Sequence, residues 1–480
     1  MKGRESMNDK KMILVNIGSG SSYLPDIAEM LIEKRNDLKV DQWRLMDIDE
    51  YRLNCTGKFV KKMFDDAKMD TKIILTQDLN EAIKDCDFVM TTIRPGMSEG
   101  RLLDETIPFK HGLIGQETTA PGGLVMGLKT IPAMLEIASA TEKYSKKNAY
   151  IVNLANPSGM MAEAVNRYSK VNYAGLCNGP TTIRQAMNMI YGKEDPNDVF
   201  CEVIGLNHLV YCKVFYKGKD VTDEAFVKLM DWTEKYNPMI RREYVEEALQ
   251  KFIGYIPMGP YLEYYYNYDV CYNDLLKYSG NHWQKMVDRV RERVGDVLDD
   301  IIVDENATRA ECVMQVEKRT FELYEKLDDR GFKLAQNTRG GHGYGKTGID
   351  LIDGIWNDRN VILSPDVASM GCIQGFDPES VCTTTALVNG SGIHPICFPK
   401  LPGHIMSNLY SAKEYEKLAV KAAVTGSYHD ALEALVANPL INSYYKAKAT
   451  LDEMLIAEKQ WLPQFFEAIE LLEKGSEPIN

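Results

Sequence analysis

The chain has 480 residues, 45% hydrophobic and 26% charged, with a formal net charge of -13. That length exceeds what one hydrophobic core usually serves, so two closely packed domains are expected, 1–195 and 196–480. An acidic chain with no strongly basic segment argues against nucleic-acid binding, and an anionic substrate would have to be held by local positive groups. No run of about 18 uninterrupted apolar residues marks a membrane span. The start, MKGRESMNDKK, is charged and leads into a strand, and the ten cysteines are scattered without a CxxC pair. Both features fit a cytoplasmic protein with reduced thiols.

KMILVNIG (11–18) is an apolar run closed by glycine, which predicts a buried parallel strand. SSYLPDIAEMLIEKR then has helical spacing. QWRLMDID (42–49) predicts a second strand ending in acids, and EYRLNCTGKFVKKMF a second helix. TKIILTQD and CDFVMTTI read as two more strands, with a short helix, LNEAIKD, between them. After a polar, glycine-rich connection (93–124), LKTIPAMLEIASATEKY predicts a helix, and AYIVNLANP and YAGLCNGP predict two strands stopped by Asn and Pro. This alternation predicts an α/β fold, a Rossmann-like doubly wound parallel sheet. The pattern changes near residue 196. VFCEVIGLNHLVYCKVFYKGKDVTDE reads as strands with YKGKD as a hairpin turn, and helical stretches follow at 222–252, 283–328 and 411–474. The second domain is therefore expected to be mixed α+β and largely helical.

NIGSGSSYLPDI follows the first strand and opens a helix. Gly18 and Gly20 take the first two places of a dinucleotide fingerprint, with Ser21 beside them and Tyr23 in the third place. Glycines there allow a tight turn and bring backbone N–H groups close to a pyrophosphate. Asp47, at the end of the second strand, can bind a ribose hydroxyl, though it comes later than the usual spacing of about 20 residues. In the polar stretch, Arg94 and Arg101 could hold a phosphate or carboxylate, and Glu117 could act in acid–base chemistry or cap the next helix. Cys177 and His208 each end or begin a strand beside an amide, Asn178 or Asn207. With substrate oxygens and water they could hold a borderline divalent ion. Each could equally be an ordinary core residue.

The ordered set NIGSGSSYLP, LMDIDEYRL, IGQETTAPGG, NLANPSGMMAEA, LCNGP, GLNHLVY and RGGHGYG resembles glycoside hydrolase family 4 over nearly the whole chain. This NAD-dependent family departs from the two-carboxylate scheme of most glycosidases. The resemblance implies a fold like lactate and malate dehydrogenases. It implies NAD and a divalent ion, most commonly Mn²⁺, as cofactors. NAD would oxidise sugar C3, a tyrosine would remove the C2 proton, and the metal would stabilise the charge that develops. The aglycone then leaves by elimination, water adds, and the retained NADH reduces C3. Carried over by motif, Cys177 and His208 are the metal ligands, Asn156 and Asn178 bind sugar hydroxyls, and Gly18, Gly20, Ser21 and Asp47 bind NAD. The base is expected at Tyr261, ahead of Tyr264 and Tyr265, with Glu117 as a second catalytic group and Arg94 and Arg339 on a substrate phosphate. Asn178 after the metal cysteine resembles the 6-phospho-β-glucosidases. Gly179, His342, Gly343 and Pro95 depart from the family pattern near the expected pocket. Family members are usually dimers or tetramers. The alternatives are another sugar (a 6-phospho-α-glucoside, an α-galactoside or a uronide) or an NAD-dependent 2-hydroxyacid dehydrogenase.

Overall fold

The computed structural model describes residues 11–192, 195–236, 245–258, 261–276, 280–304, 307–338 and 343–478. The first half supplies six strands: β1 (Ile13–Ile17), β2 (Gln42–Met46), β3 (Lys72–Thr76), β4 (Phe88–Thr91), β5 (Tyr150–Asn153) and β6 (Asn172–Gly175). They pair in parallel in the order β3-β2-β1-β4-β5-β6. This is the doubly wound arrangement, and its order reverses between β1 and β4. A crevice at the carboxyl ends of the strands opens at that point.

The second half adds β7 (Val199–Leu206), β8 (Leu209–Tyr216), β9 (Lys219–Asp220), β10 (Ile256–Met258), β11 (Val361–Leu363), β12 (Asp366–Ala368), β13 (Val381–Thr384), β14 (Ala386–Asn389) and β15 (Gly392–Pro395). The β8–β9 hairpin turns at Lys217 and Gly218, as YKGKD predicts. The parallel sheet does not stop at the change of pattern. β12 pairs with β6, β13 with β12, and β7 with β13, all antiparallel, so one sheet crosses residue 196. β11, β14 and β15 form a separate three-stranded sheet.

Helices from the second half also cover the first half's sheet. Helix Tyr344–Trp356 packs on helix Leu24–Glu33, and helix Gly403–Thr425 packs on Ala120–Tyr144 and Ser158–Tyr168. One hydrophobic core joins Val15 and Ile17 of β1 to Tyr415, Val420 and Leu451. Fully buried Lys129 bonds Asp104 at 3.0 Å and also pairs with Glu458, fixing the C-terminal segment to the same core. A buried lysine is tolerable only with such partners. Helix Ala120–Tyr144 is long and apolar enough to cross a membrane by length and composition, yet 72% of its apolar window lies inside the protein.

One expectation needs correcting. The connection 93–124 contains a 14-residue helix, Met97–Lys110, despite Pro108. Its inward face carries Arg101, Asp104 and Glu105, so no apolar stripe announces it.

Candidate active site

β1 ends at Ile17 and the chain turns at Gly18, whose φ is +86°. A Cβ there would lie 2.7 Å from the Thr92 backbone beyond β4, so both the turn and the close approach require glycine. Gly20 donates its N–H to Asp47 Oδ2 at 2.6 Å, and Asp49 donates to Asp47 Oδ1 at 2.9 Å. Asp47 thereby ties the first turn to the end of β2. Ser21 donates to the Gly18 carbonyl at 3.1 Å and accepts from Tyr23 N–H. Gly18, Gly20, Ser21, Asp47, Gln77 and Thr92 line one end of a cavity of about 2270 Å³. A left-handed glycine turn ahead of a helix, with a carboxylate beside it, fits a dinucleotide.

The opposite end holds Cys177 and His208. Cys177 occupies the N-cap position of helix Asn178–Tyr191, and its side chain is buried. Burial pushes that thiol up to about 12. A thiol here becomes a thiolate only with a cation beside it. His208 sits in the two-residue turn joining β7 to β8, where Leu206 faces Leu209. Its φ of +65° is unusual for a residue other than glycine, a strain of roughly 1–3 kcal/mol that the surroundings must hold. Asn207 helps, donating to Asp366 Oδ2 at 3.3 Å. Buried Asp366 also accepts from the hydroxyls of Ser158 and Thr383, each at 2.5 Å. Burial brings the His208 imidazole down to about 4, against the pull of Glu117, so it is neutral at physiological pH. Among the described residues, no three His, Cys, Asp or Glu side chains gather around one point. The chain thus supplies a thiol and a neutral imidazole to the cavity, a donor pair suited to a borderline divalent ion with open positions.

Between these ends lies a set of charges. Glu117 forms ion pairs with Arg94 and with Arg101, whose Nη2 lies 3.3 Å from Glu117 Oε1. Arg101 Nε and Arg309 Nη1 both reach Glu105 Oε1, at 2.8 and 3.3 Å. Burial would raise the Glu117 carboxyl, but Arg101 and then Arg94 outweigh it and hold the group well below the usual carboxylate range. A carboxylate held in this way exchanges no proton near neutral pH. Glu117, expected as an acid–base group or a helix cap, is held here between the two arginines.

Tyr261 precedes the short 3₁₀ turn Leu262–Tyr265. Its ring centroid is 5.0 Å from that of His208 and 5.6 Å from that of Tyr264. Among the tyrosines from 261 to 266, Tyr261 lines the main cavity, while Tyr264 packs with Ile114 and Leu440. Burial pushes the Tyr261 phenol up to about 12, with Arg309 opposing.

Arg94, Asn156 and Asn178 also line the cavity. Arg339 and His342 lie outside the described residues. A Cβ on Gly179 would meet only the Cys177 sulfur, at 3.7 Å, so a larger side chain would fit and its absence widens the pocket. The sequence reading missed Arg309, Tyr344 and the cationic face of helix Gly280–Val294. That face carries Lys285, Arg289 and Arg293 on the cavity wall. Their four-residue spacing was a usable signal, since such positions share one side of a helix.

The Family 4 glycosyl hydrolase description matches residues 13–192, and that family's C-terminal domain matches residues 203–441. A probable 6-phospho-beta-glucosidase of Bacillus subtilis is 36% identical over 470 residues, covering 96% of this chain and 99% of that protein. The 6-phospho-beta-glucosidase of Escherichia coli is 30% identical, covering 97% of this chain and 99% of that one. A structure of the 6-phospho-beta glucosidase from Thermotoga maritima, with manganese, NAD+ and glucose-6-phosphate, superposes with a TM-score of 0.78 at 29% identity, covering 94% of this chain and 99% of that one.

Proposed function

The chain belongs to family 4 of the glycosyl hydrolases, and from that premise we propose how its cavity hydrolyses 6-phospho-β-glucosides with NAD and a divalent metal ion. The observation that carries this is a single cavity with the Gly18–Asp47 turn at one end and Cys177, His208 and Tyr261 at the other. When bound, NAD supplies reversible hydride transfer and the ion, most commonly Mn²⁺, supplies a Lewis acid.

The chain's own residues do the rest. Gly18, Gly20, Ser21 and Asp47 hold the dinucleotide at the sheet's switch point. Cys177 and His208 hold the ion, and Asn156 and Asn178 bind sugar hydroxyls. Tyr261, beside His208, takes the proton lost from sugar C2. Glu117 fixes the Arg94 and Arg101 guanidiniums on the cavity wall. Arg94 and Arg339 are assigned to the 6-phosphate, and Arg289 and Arg293 add positive charge to the same cavity. Asn178, next to the metal cysteine, supports the β-anomer. The exposed aromatic side chains Tyr444, Tyr445 and Phe466 on the C-terminal helices support a homodimer or homotetramer. A reduced, buried set of cysteines supports a cytoplasmic enzyme: nine of the ten are buried and none is paired in a disulfide.

The test is an assay on metal- and nucleotide-stripped protein with p-nitrophenyl β-glucoside 6-phosphate. Nitrophenol and NADH are followed together, with and without Mn²⁺, NAD⁺ and a thiol. Nitrophenol release that needs both Mn²⁺ and NAD⁺, with no accumulation of NADH, is expected. Steady NADH production from a hydroxyacid without glycoside cleavage would replace this reading with a dehydrogenase. Cleavage of α-linked or unphosphorylated glycosides alone would move the substrate.

A further inference from the structure

We infer that Gln116 and Thr118 act as positioning residues that lock His208 in one tautomer, with the proton on Nδ1 and the Nε2 lone pair offered to the cavity. The inference follows from counting donors and acceptors. Gln116 Oε1 accepts the backbone N–H groups of Thr118 at 2.6 Å and Thr119 at 3.0 Å. Backbone N–H groups only donate, so oxygen must occupy that position of the carboxamide. The same oxygen lies 2.7 Å from Thr118 Oγ1, and a carbonyl oxygen cannot donate. The one hydroxyl proton of Thr118 is therefore committed to Gln116. Thr118 Oγ1 also lies 2.9 Å from His208 Nδ1. With its proton committed, the hydroxyl can only accept there, so Nδ1 carries the hydrogen. A neutral imidazole has one N–H, which leaves Nε2 as a bare acceptor.

Three observations agree with this. His208 lines the cavity, and no hydrogen bond to its Nε2 is present among the described residues. Gln116 Nε2 is buried without a partner, so the carboxamide is held by its oxygen alone. The loop is also tightly packed. A Cβ on Gly115 would lie 1.8 Å from the Glu105 carbonyl oxygen, and one on Gly122 would lie 2.3 Å from the Gln116 carbonyl oxygen. The loop therefore divides its work by alternation. Gln116 and Thr118 serve the histidine, while Glu117 between them serves Arg94 and Arg101. Groups that fix the far nitrogen of a ligating histidine typically change metal affinity 10–100-fold.

The inference rests on the reading of His208 as a metal ligand, but its test separates the two. Nitrogen-15 NMR of histidine-labelled, metal-free protein reads the tautomer, with the His208 signal identified by its loss in His208→Gln. Wild-type and Thr118→Ser proteins are expected to show Nδ1–H, and Thr118→Val to lose that preference. Mn²⁺ titration followed by electron paramagnetic resonance is expected to show affinity about 10–100-fold weaker for Thr118→Val. Thr118→Ser should stay within about threefold of wild type on the same basis. NAD⁺ affinity in the same samples should be unchanged, which checks the fold. An Nε2–H signal in the wild-type protein overturns the lock, and so does wild-type Mn²⁺ affinity in Thr118→Val. Unchanged Mn²⁺ affinity in His208→Gln would instead remove the ligand assignment, while the NMR signal still decides the tautomer.

Discussion

Glu117 and Glu263 are two carboxyl groups on the wall of one cavity, and their surroundings drive them in opposite directions. Burial acts to raise both. Around Glu117, Arg101, Arg94 and Arg309 outweigh burial and keep the group ionised. Around Glu263, among the described residues, only its own backbone N–H opposes burial, and the group is pushed up to about 8. What decides the charge state is therefore the arrangement of cations, not the depth of the site. The arginine side of the cavity is permanently charged. The tyrosine side holds protons at neutral pH.

Tyr261 stands where these two sides meet, and replacing it tests the comparison most severely. Tyr261→Phe is expected to lower kcat about 10²–10⁴-fold, the usual range for a lost acid–base group. Mn²⁺ and NAD⁺ affinities should hold, and deuterium from solvent should no longer enter the product at C2. Activity within threefold of wild type would move the base elsewhere.

Glu117→Gln should break the arginine side. Removing one partner of a buried ion pair typically costs about 3–5 kcal/mol, because the other charge stays behind. Arg101 is only 6% exposed and, among the described residues, keeps just Glu105, so denaturant unfolding should show a loss of that order. An unchanged unfolding midpoint would show that the pair is not needed to hold the loop.

Glu263→Gln should sharpen the contrast with the smallest effect. The folded carboxyl binds its proton up to about pH 8, whereas the unfolded one releases it near its ordinary 4.5. The stability this proton contributes is full below pH 4.5 and is lost as pH rises through 8. The glutamine variant keeps a neutral side chain throughout. It should match wild type near pH 4.5 and exceed it at pH 9 by about 1 kcal/mol, a fraction of what full desolvation would give at about 1.4 kcal/mol per pKa unit, because Glu263 is only half-buried and water screens it. Parallel unfolding curves for the two proteins across that range would mean that Glu263 titrates as an ordinary carboxyl.

Some of this was legible in the linear chain because it is local. An apolar run closed by glycine marks β1 and a run ending in acids marks β2, and the Gly18 turn and Asp47 sit at the ends of those neighbouring strands. Residues that mark strand ends can be placed before the fold is known, since sheet order brings such ends together. Cys177 and His208 were named by resemblance of their motifs, as their spacing alone is no metal signature. The helix Met97–Lys110 was hidden because its inward face is charged. A periodicity argument registers buried hydrophobic side chains and cannot register a buried ion network.

The sequence by itself determined the alternation of strands and helices, the glycine turn and the family motifs, all set by neighbours along the chain. Only tertiary structure decided that β12 would extend the first sheet beside β6, and that Asp366 would hold the turn carrying His208. It alone decided that Glu117 would be a fixed anion while Glu263 keeps a proton. The physical reason is range. Backbone geometry and apolar periodicity act over a few residues. The charge state of a buried group is the sum of desolvation and of partners such as Arg309, almost 200 residues from Glu117 along the chain, whose distance only the folded chain fixes.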